Sequence, residues 1–219
     1  MTNFKKGFTL AEVLVTLAII GVVSALTVPG LMNSYQKQTY VTQLHKFYNE
    51  MTQALTQYKT DKNALNLKEA GFTSQANVNT FVETYFKVIN SCDQWNPCFE
   101  DISTYKYLSG GSIGNRANPK SYTLASGASI RPYYYVEGEK LINLFVDING
   151  PKGPNILGRD LFFMGIYSNG MIDDFYNSAT NAPLSTTMRE TVYAGNCQSG
   201  GNVYGCFGKI LNDNWQMTY

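Results

Sequence analysis

The chain has 219 residues, 17 of them basic and 16 acidic, with 44% hydrophobic and 15% charged residues. That composition excludes a disordered tail, which would combine low hydrophobicity with high net charge, and the length suits one anchoring segment plus one globular domain. Residues 61–219 hold 12 basic and 14 acidic side chains with no basic run, whereas proteins that grip nucleic acid through its phosphates cluster Lys and Arg. Nucleic acid is therefore not an expected partner.

The chain opens with a short basic leader ending in Lys5, Lys6 and Gly7, followed by an apolar run from Phe8 to Leu31 that contains a single acid, Glu12. Those 24 residues span roughly 36 Å as a helix, against about 30 Å of bilayer hydrocarbon. Lys5 and Lys6 before the run place the short N-terminus on the cytoplasmic side, which leaves the rest of the chain outside. A secretory signal peptide cut near Val23-Ser24-Ala25 is the alternative reading. It is disfavoured because the run is too long, holds an acid and continues past the supposed cut. A charge inside the membrane costs at least about 2.5 kcal/mol and is rarely kept without a partner. Glu12 lies one helical turn after Phe8, so cleavage between Gly7 and Phe8 would create an amine that Glu12 of the same or a neighbouring chain can pair with.

The segment GFTLAEVLVTLAIIGVVSAL resembles the cleavage and methylation motif of type IV pilins and type II secretion pseudopilins. The resemblance covers roughly residues 5–35. It implies that a prepilin peptidase cuts after Gly7 and N-methylates Phe8, and that Glu12, fifth in the mature chain, pairs with a neighbour's N-terminus during assembly. Gly21 and Pro29 fall where many such chains weaken the helix. Other pilin or pseudopilin subunits, the peptidase, an inner-membrane assembly platform and membrane lipid are the implied partners. The implied location is the bacterial inner membrane, single-pass with the C-terminus out, and then a surface or periplasmic filament. The expected division is a leader at 1–7, a transmembrane and assembly helix at 8–33, its amphipathic extension at 34–60 and an extracytoplasmic α+β domain at 61–219.

From Tyr35 to Lys59 the apolar residues Tyr40, Val41, Leu44, Phe47, Tyr48, Met51, Leu55 and Tyr58 recur at helical spacing. The run predicts one continuous helix whose first half lies in lipid and whose second half packs on a domain. His45, the only histidine, reads as an ordinary residue of that helix. Asn63 to Gln75 reads as a loop with a short helical piece, and Val78, Phe81, Val82, Tyr85, Phe86 and Ile89 as a second amphipathic helix. Strand-like runs follow at 121–125, 130–136, 141–148, 161–167 and 171–175, the last two joined across Ser168-Asn169-Gly170, an Asn-Gly turn signal. A long helix followed by a small antiparallel sheet is an α+β order, and it is also the arrangement the pilin resemblance implies.

Four cysteines in an outward-facing domain predict disulfides. Three connectivities exist; Cys92–Cys98 and Cys197–Cys206 are favoured because each pair brackets a short loop. Zinc is disfavoured by the spacing and the lone remote histidine. Gly110 to Gly114 fits G-x-S-x-G, yet no histidine in the domain can complete a triad, so a glycine-rich turn is expected and no enzyme. Asp147, Asn149 and Asn155, with Asp160 and also Asp173 or Asp174 as further oxygens, resemble a calcium loop. Asx turns joining two strands explain the same residues, and an EF-hand is excluded by Pro151 and Lys152.

The reading that follows is a structural filament subunit without an active site and without a cofactor, a structural calcium at that turn being the alternative to the Asx turns. The tyrosine-rich domain with its C-terminal cysteine loop fits a minor or surface pilin, and the calcium-like turn a secretion pseudopilin. The alternative from another class is a monomeric, membrane-anchored binding module or adhesin.

Overall fold

The computed structural model describes residues 7–114, 119–177 and 181–219; Lys5, Lys6 and the rest of the leader before Gly7 lie outside the described residues. Two compact units are present, Met1–Thr39 and Tyr40–Tyr219. Helix α1, Leu10–Asp61, supplies residues to both.

Thr9 and Glu12 start α1 with a capping box. Glu12 Oε2 accepts from the Thr9 amide at 2.8 Å and from its hydroxyl at 2.7 Å, while Thr9 Oγ1 accepts from the Glu12 amide at 3.3 Å. This exchange satisfies donors that a helix start otherwise leaves open. The helix runs unbroken through Gly21 and Pro29, although the proline ring removes the donor that would reach Ala25. The apolar stretch of α1 is long enough to cross a bilayer, and none of it is buried.

In the second unit α1 buries Val41, Leu44, Phe47, Met51, Leu55 and Tyr58, the three-and-four rhythm read from the sequence. Two short helices follow. α2, Leu67–Ala70, is capped by Asn66, and α3, Gln75–Tyr85, is capped by Ser74. Tyr58, Phe72, Phe81 and Tyr85 form an aromatic cluster that fixes α3 against α1, and Tyr85 donates its hydroxyl to Asp61 at 2.7 Å.

The sheet is an antiparallel meander of six strands in the order β1-β2-β3-β4-β5-β6. The strands are β1 Val88–Cys92, β2 Ser121–Leu124, β3 Ser129–Glu137, β4 Lys140–Asp147, β5 Leu161–Tyr167 and β6 Ile172–Asp173. Side chains alternate between faces. Ile130, Val146 and Phe162 share one face with Leu144, Met164, Ile142 and Ile166, and these residues belong to the same buried cluster as the α1 stripe. Arg131, Phe145 and Phe163, with Tyr133, Asn143 and Gly165, lie on the other face.

β2 pairs with β3 only as far as Ile130. Beyond it Gln75 of α3 takes the place of a strand, Nε2 donating to Pro132 O at 3.0 Å and Oε1 accepting from Tyr134 N at 2.8 Å. Pro132, which has no amide hydrogen, thus occupies a local edge where the loss is tolerated.

One expectation is corrected here. The second amphipathic helix ends at Tyr85, and Ile89 sits on β1 with 65% exposure rather than on a buried helical face. Its apolar spacing continues past Phe86, where the backbone becomes extended and the helix ends. The C-terminal region, on which the sequence pattern is silent, is helical: α4 Thr186–Val192, a π-helical turn at Tyr193–Gln198 and α5 Cys206–Asn212. These helices are short and pack through few apolar residues, too few to leave a period in the sequence.

Candidate functional site

The predicted assembly residues occupy the start of α1. Phe8 is 89% exposed, and Gly7 precedes it in open, non-helical chain, an accessible setting for the bond between them. Glu12 is exposed, and its capping contacts with Thr9 use Oε2. Thr9 is the residue the sequence reading missed; the signal was the T-x-x-E spacing of a capping box. A side chain added at Gly21 or Gly30 meets nothing within 4 Å, so packing within the chain gives no reason for glycine at either position.

The second unit holds the remaining predicted sites. Cys92–Cys98 and Cys197–Cys206 are disulfide-bonded, with Cα separations of 6.0 and 5.2 Å. The first fastens β1 to the loop carrying Trp95 and Phe99, and the second ties the π-helical turn to the first residue of α5. Gly205, at φ 97°, lets the chain enter α5 where any Cβ would sit 2.6 Å from Tyr193. His45 stacks on Trp215 with ring centroids 4.0 Å apart, a packing role. Ser112 follows the Tyr107–Gly110 turn and pairs with Lys106 as an isolated bridge, not at the head of a helix.

The acidic turn makes several hydrogen bonds of its own, while Asn155 Oδ1 is buried and accepts none from the described residues. Asp147 Oδ2 accepts from the Tyr105 hydroxyl at 2.6 Å and Oδ1 from the Asn149 amide at 3.2 Å. The Asn149 side chain, oriented to satisfy both its ends, donates to Asp147 Oδ1 at 2.7 Å and Lys152 O at 3.2 Å. Asp160 accepts from the Asn155 and Ile156 amides at 2.8 and 2.7 Å. Burial pushes the Asp147 carboxyl up to about 8, with the Asp160 charge adding to it and the Tyr105 bond opposing it. Among the described residues no group of three or more His, Cys, Asp or Glu side chains converges.

Asp173 and Asp174 serve the C-terminal helices instead. Asp173 takes a bidentate pair from Arg189 at 2.9 and 2.6 Å and accepts from Leu184 N. Asp174 is fully buried and accepts from the amides of Phe175, Gly205 and Gly208. It thereby seats the start of α5 by donors that the helix leaves free.

Residues 2–28 match the prokaryotic N-terminal methylation motif, the prepilin-type signature of type IV pilins and pseudopilins. No curated protein and no solved structure matches the chain. The class defined by fold and motif is therefore a pilin-like α+β chain with an apolar N-terminal helix suited to membrane anchoring.

Proposed function

We propose that this chain is a structural subunit of a type IV pilus-like or pseudopilus filament. It is stored in the inner membrane, cut by a prepilin peptidase between Gly7 and Phe8, and assembled through α1 with other subunits and an inner-membrane platform. The observation that carries the proposal is the conjunction of the methylation motif at 2–28 with an apolar stretch of α1 that is exposed within its own chain.

Removal of the leader would turn Phe8 N into a cation next to Thr9, whose amide already contacts Glu12. The second oxygen of that carboxylate can take a neighbour's amine without giving up the helix cap. Pairing removes two isolated charges from a low-dielectric medium, each costing about 2.5–3.5 kcal/mol at the bilayer centre. The side chain missing at Gly21 leaves room for a neighbouring helix, in the manner of small residues at membrane helix contacts.

Intact mass of the chain from a peptidase-competent host tests the processing step. The expected species lacks residues 1–7 and carries a methyl group on Phe8; retention of Met1 or Thr2 would overturn it. Glu12→Val is expected to stay in the membrane while filament incorporation falls about tenfold or more. A monomeric anchored binding module, the other reading, predicts unchanged activity when an unrelated apolar helix replaces residues 8–33.

For the acidic turn the contacts favour the Asx-turn role. Added calcium or EGTA is expected to move the melting temperature by less than about 1 °C, since a ligand that binds only the folded state at 100 times its Kd would add about 2.7 kcal/mol. A calcium-dependent rise of several degrees would restore a structural ion.

A further inference from the structure

A cleft of about 260 Å³ lies between the end of α1 and α3. Its lining divides by exposure. Tyr58 and Phe81 are buried and Tyr85 is half-buried, so their rings form the floor, while Lys62, Thr80 and Thr84 are exposed and form the rim. The rings hold one another in place, Tyr58 meeting Phe81 and Tyr85 edge-on with centroids 5.2 and 5.6 Å apart. Gly71 also lines the cleft, and a Cβ there would stand 3.0 Å from the Tyr58 hydroxyl.

Only 7% of Tyr58 is exposed, and its hydroxyl makes no hydrogen bond among the described residues. It is nevertheless not sealed off as Asn143 Oδ1 and Asn155 Oδ1 are, so a molecule in the cleft can reach it. The neighbouring donors are already used. Tyr85 gives its hydroxyl hydrogen to Asp61 at 2.7 Å. Thr80 and Thr84 give theirs to the carbonyls of Ala76 and Thr80 at 3.0 and 2.7 Å. What remains for an occupant is the Tyr58 hydroxyl and the Lys62 ammonium, which makes no ion pair among the described residues.

One cation and one phenol donor above an aromatic floor suit a singly charged anion with an apolar body. A dianion would place a second charge close to Asp61, and no Lys or Arg other than Lys62 lines the cleft to meet it. A carboxylate accepts from both free donors, and charge-assisted hydrogen bonds are about twice as strong as neutral ones. The space is sufficient, since a cavity of about 150 Å³ already admits benzene.

We infer that this cleft binds a small monocarboxylate, which accepts hydrogen bonds from Tyr58 and Lys62 and lays its apolar body against the Phe81 and Tyr85 rings. The site lies wholly in the Tyr40–Tyr219 unit, so it goes beyond the filament reading and its test is independent of the processing test.

The full chain in phosphatidylcholine nanodiscs is titrated with benzoate, phenylacetate and butyrate, and with benzamide and inorganic phosphate for comparison. Binding is followed by saturation-transfer NMR and by the amide shifts of Gly71 and Thr84. At least one carboxylate is expected to bind in the millimolar range, with benzamide and phosphate weaker. Tyr58→Phe, which keeps the ring, and Lys62→Gln, at an exposed side chain, should each weaken it about tenfold, with the near-UV spectrum unchanged. Should Tyr58→Phe disturb folding, Lys62→Gln alone decides. The inference is overturned if no carboxylate binds, if benzamide binds as tightly as benzoate, or if both variants bind as the wild type does. Tighter binding of phosphate than of any carboxylate overturns it as well, since the site then selects a dianion.

Discussion

Asp174 shows how one residue can be both necessary and costly. Burial pushes its carboxyl up to about 6 from the ordinary 3.8, against the opposing pull of the Gly208, Gly205 and Phe175 amides. The folded state thus holds the proton more tightly than the unfolded state does. Its contribution to stability is complete below about pH 4, is lost as pH rises through 6, and is constant above that. The loss amounts to about 3 kcal/mol. In urea titrations, the stability of the wild type relative to Asp174→Asn should fall by that amount between pH 4 and pH 7. A relative stability that rises over the same interval would mean that the helix amides outweigh desolvation. In the sequence Asp173-Asp174 reads as spare oxygen ligands. Nothing in the linear order shows that Arg189 and the start of α5 claim both.

At the scale of elements, the strands were legible wherever a face alternates or a fully apolar run has room. β5 occupies 161–167 as expected, and β2, β3 and β4 agree to within a residue at each end. β1 was hidden because Val88–Cys92 exposes three of its five residues, so it carries almost no pattern. The C-terminal elements depend on a covalent tie as much as on apolar area. Cys197 and Cys206 are nine residues apart, and closing such a loop is worth about 2.5 kcal/mol in the chain-entropy account. The double variant Cys197→Ser/Cys206→Ser should melt about 5–10 °C lower, with hydrogen exchange rising first in α4 and α5. Equal protection in those helices would show that Asp173, Asp174 and Arg189 suffice to hold them.

At the scale of the molecule, the buried residues among those described belong to Tyr40–Tyr219, and the apolar side chains of residues 8–35 are exposed. A chain beginning at Tyr40 is therefore expected to fold in water without detergent and to melt within a few degrees of the full-length protein. A molten spectrum, with far-UV signal retained and near-UV signal lost, would mean that the apolar half of α1 supports the fold. The same division explains how one helix can carry two sequence patterns. Its first part is apolar all round, suiting lipid or other helices, while its second part has a stripe that fits a single domain.

The sequence by itself determined the apolar span, the residues flanking the Gly7–Phe8 bond, the α+β order and the two short cysteine loops. Each of these is a local property, set by residue type and spacing over a few turns. Only the tertiary structure decided that Asp147 and Asp160 accept from Tyr105 and backbone amides, and that Gln75 stands in for a strand beside Pro132. Those outcomes join residues far apart in the chain, and burial, which sets the energy of each polar group, exists only once the strands and helices have been brought together.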